Sequence, residues 1–486
     1  MSSNPFKKLA GQTAVYGLGT MVPRLLNYLL VPLYTRVFAP EVYGQFTELY
    51  AYVAMLLALL TYGMETTFFR HAKGENFRKV YGNIMTSILG TTILFVVLIA
   101  VLHPFIANGI GYQDKQIYIL LLGLIVAADA ASAVPFCMLR QQNQAKRFSL
   151  VKIANVLTNI GLNLLFLVAM PETSQRWAKS LFGEEAGMLT WVFASNLAAS
   201  LLGLLLLWPQ LRQIKLQHDR ELMRKLLGYG LPILLINLVG MVNEVADKLA
   251  MKYLLPDDVA MAQLGIYGAN YKLAVLMTIF IQMFRFAAEP FFFSKAEDKN
   301  SPQLFADVMT YFVIFGLIIF LGITLFLDFF GLFIGEGFRE GLGIVPIVLF
   351  ANLMYGITFN LGMWYKLSDR TSSGTVITII GACVTLLCLF LLVPRIGYWG
   401  AATAHFGCYL VMMVVSYVWG QRVYPIPYNV RRITFYVVLA LIFFVSGYFF
   451  KPATAWLAYS LDALYLLIFC AIAYKMDFNK AVRGEI

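Results

Sequence analysis

One arginine, Arg24, stands in an otherwise uncharged run from Tyr16 to Thr35. On a helix it shares a face with Thr13, Gly17, Thr20, Asn27 and Tyr34, which recur every three or four residues. A charge at the centre of a membrane helix costs about 2.5 to 3.5 kcal/mol even on the lenient insertion scale, so it must face water, a partner or an anionic ligand. A fixed ion pair with Glu65, Glu244 or Asp247 is one outcome. Contact with a phosphate-bearing substrate is the other, because the planar guanidinium matches phosphate oxygens.

Two further polar stripes repeat that spacing: Asn237, Gly240, Glu244, Asp247 and Met251, and Lys152, Asn155, Asn159 and Asn163. A single intramembrane Asn is ordinarily a helix–helix hydrogen bond. Three stripes together read as a wet surface inside a helical bundle. Arg285 and Glu289, one turn apart, are expected to form an intrahelical pair, either structural or a gate that opens to a substrate phosphate, with Asn270 and Lys272 continuing the polar track. Glu65, Asp129, Asp247 and Glu289 are the candidates for gating or ion coupling. Glu48 reads as a solvated end residue, and Asp257 and Asp258 as capping acids after a proline turn. His405 reads as a satisfied buried histidine, and His71 as a loop residue. The sequence has no phosphate-binding loop of the NTPase type and no nucleophile with a matching base, so neither ATP hydrolysis nor covalent catalysis is expected. No cofactor and no metal are expected. The five cysteines form no CxxC pair and read as small buried hydrophobes.

The elements that must carry these residues are membrane helices. Of 486 residues, 60% are hydrophobic and 13% charged, about half the charged share usual in a soluble domain. Charge-free runs such as Val80 to Gln113, Ala186 to Leu211, Thr371 to Pro394 and Ile396 to Gln421 each exceed the roughly 20 apolar residues that cross hydrocarbon. None alternates with the period of a membrane β-barrel. The N-terminal stretch lacks a cleavage pattern, so the first helix is expected to remain. About fourteen spans follow, near residues 11-35, 44-66, 82-105, 116-139, 149-170, 187-208, 227-250, 264-288, 305-328, 342-365, 373-394, 398-420, 433-450 and 452-474. Of the 37 Lys and Arg, 25 fall in the two tails and the connections on their side and 9 in the others, which places both termini in the cytoplasm. The net charge of +11 is then an orientation signal, and no nucleic-acid partner is implied.

The chain also repeats itself. "FAPEVYGQFTELYAYVAMLL" answers "LLPDDVAMAQLGIYGANYKLAVLM", "ETTFFR" answers "EPFFFS", and a stretch beginning "MLRQQNQ" lines up with one beginning "MWYKLSD", at offsets of about 215 to 225 residues. The expected organisation is an all-α polytopic protein: a six-helix lobe over 1-210, a second over 211-422, and two additional helices with a tail over 423-486. The substrate site is then expected between the halves near the bilayer midplane.

"LLVPLYTRVFAPEVYGQF" (Leu29 to Phe46) resembles the opening signature of polysaccharide-exporting flippases of the MOP superfamily, the Wzx-type transporters of O-antigen and capsule units. "VPRIGYWGAATA" (Val393 to Ala404) is similar to the turn between their eleventh and twelfth helices. The lipid II flippases of the superfamily usually have an Arg-Asp pair where this chain has "RLLNYLL", so only Arg24, with Arg285 and Glu289, matches them. Its multidrug antiporters commonly carry an acid on the first helix, and this chain has none between Met1 and Pro40. The resemblance implies a V-shaped pair of lobes around a cationic cavity. It implies an inner-membrane flippase, not an enzyme, that carries an undecaprenyl-pyrophosphate-linked oligosaccharide outward by alternating access. Arg24, Arg285, Lys152 and Lys272 would meet pyrophosphate, and Asn and Tyr side chains the sugars. The bilayer, the polyprenyl-linked glycan, and a polysaccharide polymerase with its chain-length machinery are the partners implied. Coupling to an H+ or Na+ gradient or to the membrane potential is expected. A lipid II flippase and a multidrug or organic-cation antiporter are the alternatives.

Overall fold

The computed structural model describes residues 17, 19, 21–72, 77–184, 186–215, 219–295, 301–368 and 370–478. The described residues contain helices and turns and no strand. After a helical stretch over 21–28 come α1 (Leu30–Val37), α2 (Pro40–Thr61), α3 (Met64–His71), α4 (Phe77–Gly109), α5 (Gln116–Gln141), α6 (Ala145–Leu164), α7 (Pro171–Phe182) and α8 (Leu189–Leu206). Then follow α9 (Arg220–Leu254), α10 (Asp257–Leu273), α11 (Val275–Lys295), α12 (Ser301–Thr324), α13 (Val345–Leu361), α14 (Met363–Leu367), α15 (Thr371–Ile396), α16 (Tyr398–Val423), α17 (Val430–Phe449) and α18 (Ala455–Ala473). Among the described residues 12 helices are long and apolar enough to cross a membrane, and 13 if the bent pair α10–α11 is taken as one span. The first expected span lies partly outside the described residues. The protein is therefore a multi-pass membrane protein.

The span expected near 264-288 is two helices bent by 47° at Ala274, with α10 opening earlier, at Asp257. Pro256 precedes it and Asp257 and Asp258 fill its first turn, where acids complement the helix dipole. Glu48 is a correction: it is buried, and Tyr112 Oη donates to its Oε2 at 2.5 Å.

Two compact units emerge. One comprises 1–37 and 45–241, the other 38–44 and 242–486, and α9 is shared between them. In the first, α4 packs on α5, α6 on α8 and α5 on α8; in the second, α12 packs on α13, α15 on α16 and α13 on α16. Counted in spans, both read third on fourth, fifth on sixth and fourth on sixth, so the sequence repeat is a repeat of packing. The second unit adds α17 and α18 against α12.

Two kinds of local chemistry set these helices. Asp219 caps α9: its Oδ1 accepts the backbone N–H groups of Leu222 at 3.0 Å and Glu221 at 3.1 Å, and its Oδ2 pairs with Lys79 at 2.6 Å. The Leu222 and Lys79 bonds hold this carboxyl down, at about 2. Glycines set the close crossings. A Cβ at Gly265 would lie 1.9 Å from the Pro40 carbonyl oxygen, and one at Gly44 would lie 2.0 Å from that of Met261. The turn joining α15 to α16 is Gly397 alone, with φ +57°.

Candidate polar sites in each unit

In the first unit the structure gathers four of the predicted charges. Arg24 is exposed on the helical stretch 21–28, and Glu65 is exposed in the first turn of α3. Lys152, on α6, interacts electrostatically with Asp129, Glu65 and Arg24, and its Nζ sits 4.0 Å from the centre of the Phe136 ring. Asp129, on α5, accepts a 2.8 Å hydrogen bond from Ser200 Oγ. The result is a mixed patch of two cations and two anions. It can hold a phosphate by its cations or a monovalent cation by its acids. Asn27 is exposed beside it in sequence, while Thr13 and Thr20 lie outside the described residues.

The asparagine stripe of α6 serves packing. Asn155 Nδ2 donates to the Ala199 carbonyl at 2.9 Å, tying α6 to α8. Asn163 Nδ2 donates to the backbone and side-chain oxygens of Asn159, and Tyr34 Oη donates to Asn163 Oδ1 at 3.0 Å. For Asn155 and Asn163 the structure favours helix–helix glue over sugar contact in this conformation.

In the second unit Asp247, 3% exposed, is the hub of a buried cluster. Tyr267 Oη donates to its Oδ2 at 2.5 Å, and Lys248 Nζ lies 3.2 Å from its Oδ1. The Lys248 ammonium also donates to the Glu244 carbonyl at 2.8 Å and rests 4.6 Å from the Tyr271 ring. Tyr271 Oη in turn lies 3.3 Å from His405 Nε2, which is 3.4 Å from Asn352 Oδ1. The histidine is buried and partnered, as its sequence context suggests. The exposed Lys272 and Glu244 extend the cluster electrostatically, with Lys248. Asn237, farther back on α9, is exposed. Asn270 is a correction: it is fully buried, and its Nδ2 donates to the Ile266 and Phe338 carbonyls at 2.8 and 2.7 Å. Its amide pins α10 to the turn Glu336–Ile344.

The Arg285–Glu289 pair is also revised. Glu289 Oε1 meets Lys366 Nζ at 2.5 Å. Arg285 and Lys366 both stand over the Phe359 ring, at 4.3 and 4.6 Å from its centre. Two cations on one ring, with one carboxylate as counter-ion, form a partly exposed site whose cations suit an anion.

Sequence reasoning missed Lys248, Tyr267, Lys366 and Phe359. Lys248 had a signal, since it adjoins Asp247 in "NEVADK". Lys366 had none, because its partner Glu289 is 77 residues away. Among the described residues no three His, Cys, Asp or Glu side chains gather as a metal site requires.

Residues 9–296 match the family described as polysaccharide biosynthesis protein, well over half of the chain. The chain belongs to that family. Solved structures extend the polysaccharide biosynthesis family's kinship in fold. A structure of the lipid II flippase MurJ in an inward closed conformation aligns over 95% of this chain and 99% of its own, at 14% identity and a TM-score of 0.70. An inward-facing multidrug resistance MATE family transporter of the MOP superfamily aligns over 84% and 97%, at 14% identity and TM-score 0.64. An outward-facing multidrug resistance MATE family transporter of the same superfamily aligns over 86% and 96%, at 16% identity and TM-score 0.57. No curated protein matches by sequence. At such identities the structures establish the fold, which this member of the polysaccharide biosynthesis family shares with a flippase and with multidrug transporters.

Proposed function

We propose that the protein is a flippase that carries a polyprenyl-pyrophosphate-linked oligosaccharide across the bacterial inner membrane by alternating access. The observation that carries this reading is the Arg285–Phe359–Lys366 arrangement with Glu289 as resident counter-ion, in a chain of the polysaccharide biosynthesis family. A sugar hydroxyl moved into a medium without hydrogen-bond partners loses about 4 to 8 kcal/mol, so an oligosaccharide needs a polar path while its prenyl tail stays in lipid. Cations flanked by an aromatic ring suit the phosphate end of such a molecule. Arg24 and Lys152 offer a second cationic contact in the first unit, and Lys272 with Lys248 a third in the second.

On this reading the sequence repeats cover 1-210 and 211-422, 423-486 adds two helices and both termini face the cytoplasm, whereas the compact units divide within α9, after Met241. Asp129 and Asp247 are the acids proposed to couple the cycle to an H+ or Na+ gradient or to the membrane potential. A polymerase and its chain-length machinery receive the product. The test is reconstitution in liposomes with a fluorescent lipid-linked glycan on one leaflet. Protein-dependent appearance of the glycan on the other leaflet supports the reading. Absence of transfer under every imposed gradient, together with export of organic cations by the same vesicles, supports the multidrug alternative.

A further inference from the structure

The tract between the fifth and sixth expected spans, residues 171–187, is too short for a domain, yet it folds as a twelve-residue helix, α7. Pro171 opens it at the first helical position, directly after the π-turn Leu165–Ala169 that ends the preceding span. Trp191, at the start of α8, fastens it. The indole Nε1 donates to the Ser174 carbonyl at 2.7 Å, and the ring stacks on Phe166 at 4.1 Å and meets Phe182 edge-on at 5.7 Å. These contacts fix α7 at the level where two membrane helices end.

At 100° per residue three faces separate. Ser174 and Ala178 face the protein and are buried. Beside them Trp177 and Leu181, one turn apart, form an open apolar strip, 45% and 67% exposed. Gln175, Arg176 and Lys179 occupy another, exposed side. α7 packs against the turn Leu165–Ala169, and the span ending in that turn has its own exposed apolar residues, Leu157, Leu164, Leu165 and Val168, leading up to the strip. The outward surface of a span is covered by lipid acyl chains, so the occupant of the strip is set by that continuity.

The geometry points to α7 as an in-plane interfacial helix that binds phospholipid. Trp177 and Leu181 enter the boundary between headgroups and acyl chains, Arg176 on the flank sits at the phosphate level, and Lys179, opposite the strip and 3.7 Å from Glu184, faces water. This site is independent of the transported substrate. It would hold the fifth-to-sixth connection at fixed depth while the spans around it move.

Fluorescence of the full-length protein in phosphatidylcholine–phosphatidylglycerol vesicles tests this. The protein has seven tryptophans, so the contribution of Trp177 is read as wild type minus Trp177→Phe. That contribution should lose roughly half its intensity with lipids brominated near the headgroup and less with lipids brominated at the chain ends, while acrylamide in the aqueous phase quenches it weakly. Leu181→Asp, a change at an exposed position, should raise acrylamide quenching of Trp177 severalfold. The assignment is overturned if acrylamide quenches Trp177 as freely as a soluble indole and neither brominated lipid does. It is equally overturned if Leu181→Asp changes nothing.

Discussion

Polar side chains do opposite work in this protein, and the difference lies in what waits opposite each one. Asn155 meets a carbonyl of α8 and becomes an inter-helix tie, whereas Lys366 meets Glu289 at a partly exposed ring and keeps a charge that a ligand can claim. Because a tenfold change in binding corresponds to about 1.4 kcal/mol, losing one charge-assisted contact should cost roughly tenfold in translocation. Lys366→Ala and Arg285→Ala are each expected to lower glycan transfer in vesicles by that order, at unchanged protein level. Glu289→Gln should retain transfer, since it removes the resident counter-ion and leaves both cations. Equal loss in all three would make the trio a structural clamp. Tyr267→Phe poses the complementary question at a buried site. It leaves Asp247 without its 2.5 Å donor, and the expected cost is about 1 to 3 kcal/mol, read as a lower melting temperature in detergent.

Helix crossings and helix ends depend on backbone approach and capping rather than on side-chain polarity. At Gly265 any Cβ meets the Pro40 carbonyl at 1.9 Å, so Gly265→Val must push α10 away from α2 and should cost about 1 to 3 kcal/mol or more. Gly90, on α4, has no atom within 4 Å of its Cβ position, so Gly90→Ala should leave the melting temperature unchanged or raise it. The cap of α9 gives a pH signature. The folded-state carboxyl of Asp219 is depressed from 3.8 to about 2, so its stabilising contribution is complete above the ordinary value and is lost as pH falls between those two values. Over that window the wild type should lose more thermal stability than Asp219→Asn, which keeps the cap oxygen and gives up the charge. Elements of this kind were legible in the sequence where one property decides them. Long charge-free runs gave spans, and Pro256 with two acids marked a capped turn, although the span itself was expected only from residue 264. The break at Ala274 was not legible, because neither proline nor glycine stands within five residues of it to mark a bend.

At the scale of the whole chain, the duplication visible as weak sequence echoes proved to be a duplication of packing, third span on fourth, fifth on sixth and fourth on sixth in each unit. Periodicity could place polar residues on one face of a helix. It could not say that Asn270 would be consumed by two carbonyls or that Lys248 would join Asp247, since both depend on the neighbour supplied by folding. The repeat also gives each unit its own membrane-embedded acid with hydroxyl support, Asp129 with Ser200 and Asp247 with Tyr267. On the proposal that an ion gradient drives the cycle, these two acids allow the halves to be tested separately. Proteoliposomes with a pH or sodium gradient should accumulate glycan on one side, and collapsing every gradient with ionophores should reduce this to slow equilibration. If the first unit carries the coupling, Asp129→Asn abolishes gradient-driven accumulation and spares equilibration, while Asp247→Asn leaves accumulation intact. The reverse pattern assigns coupling to the second unit. Accumulation that survives both substitutions would remove these acids from the drive.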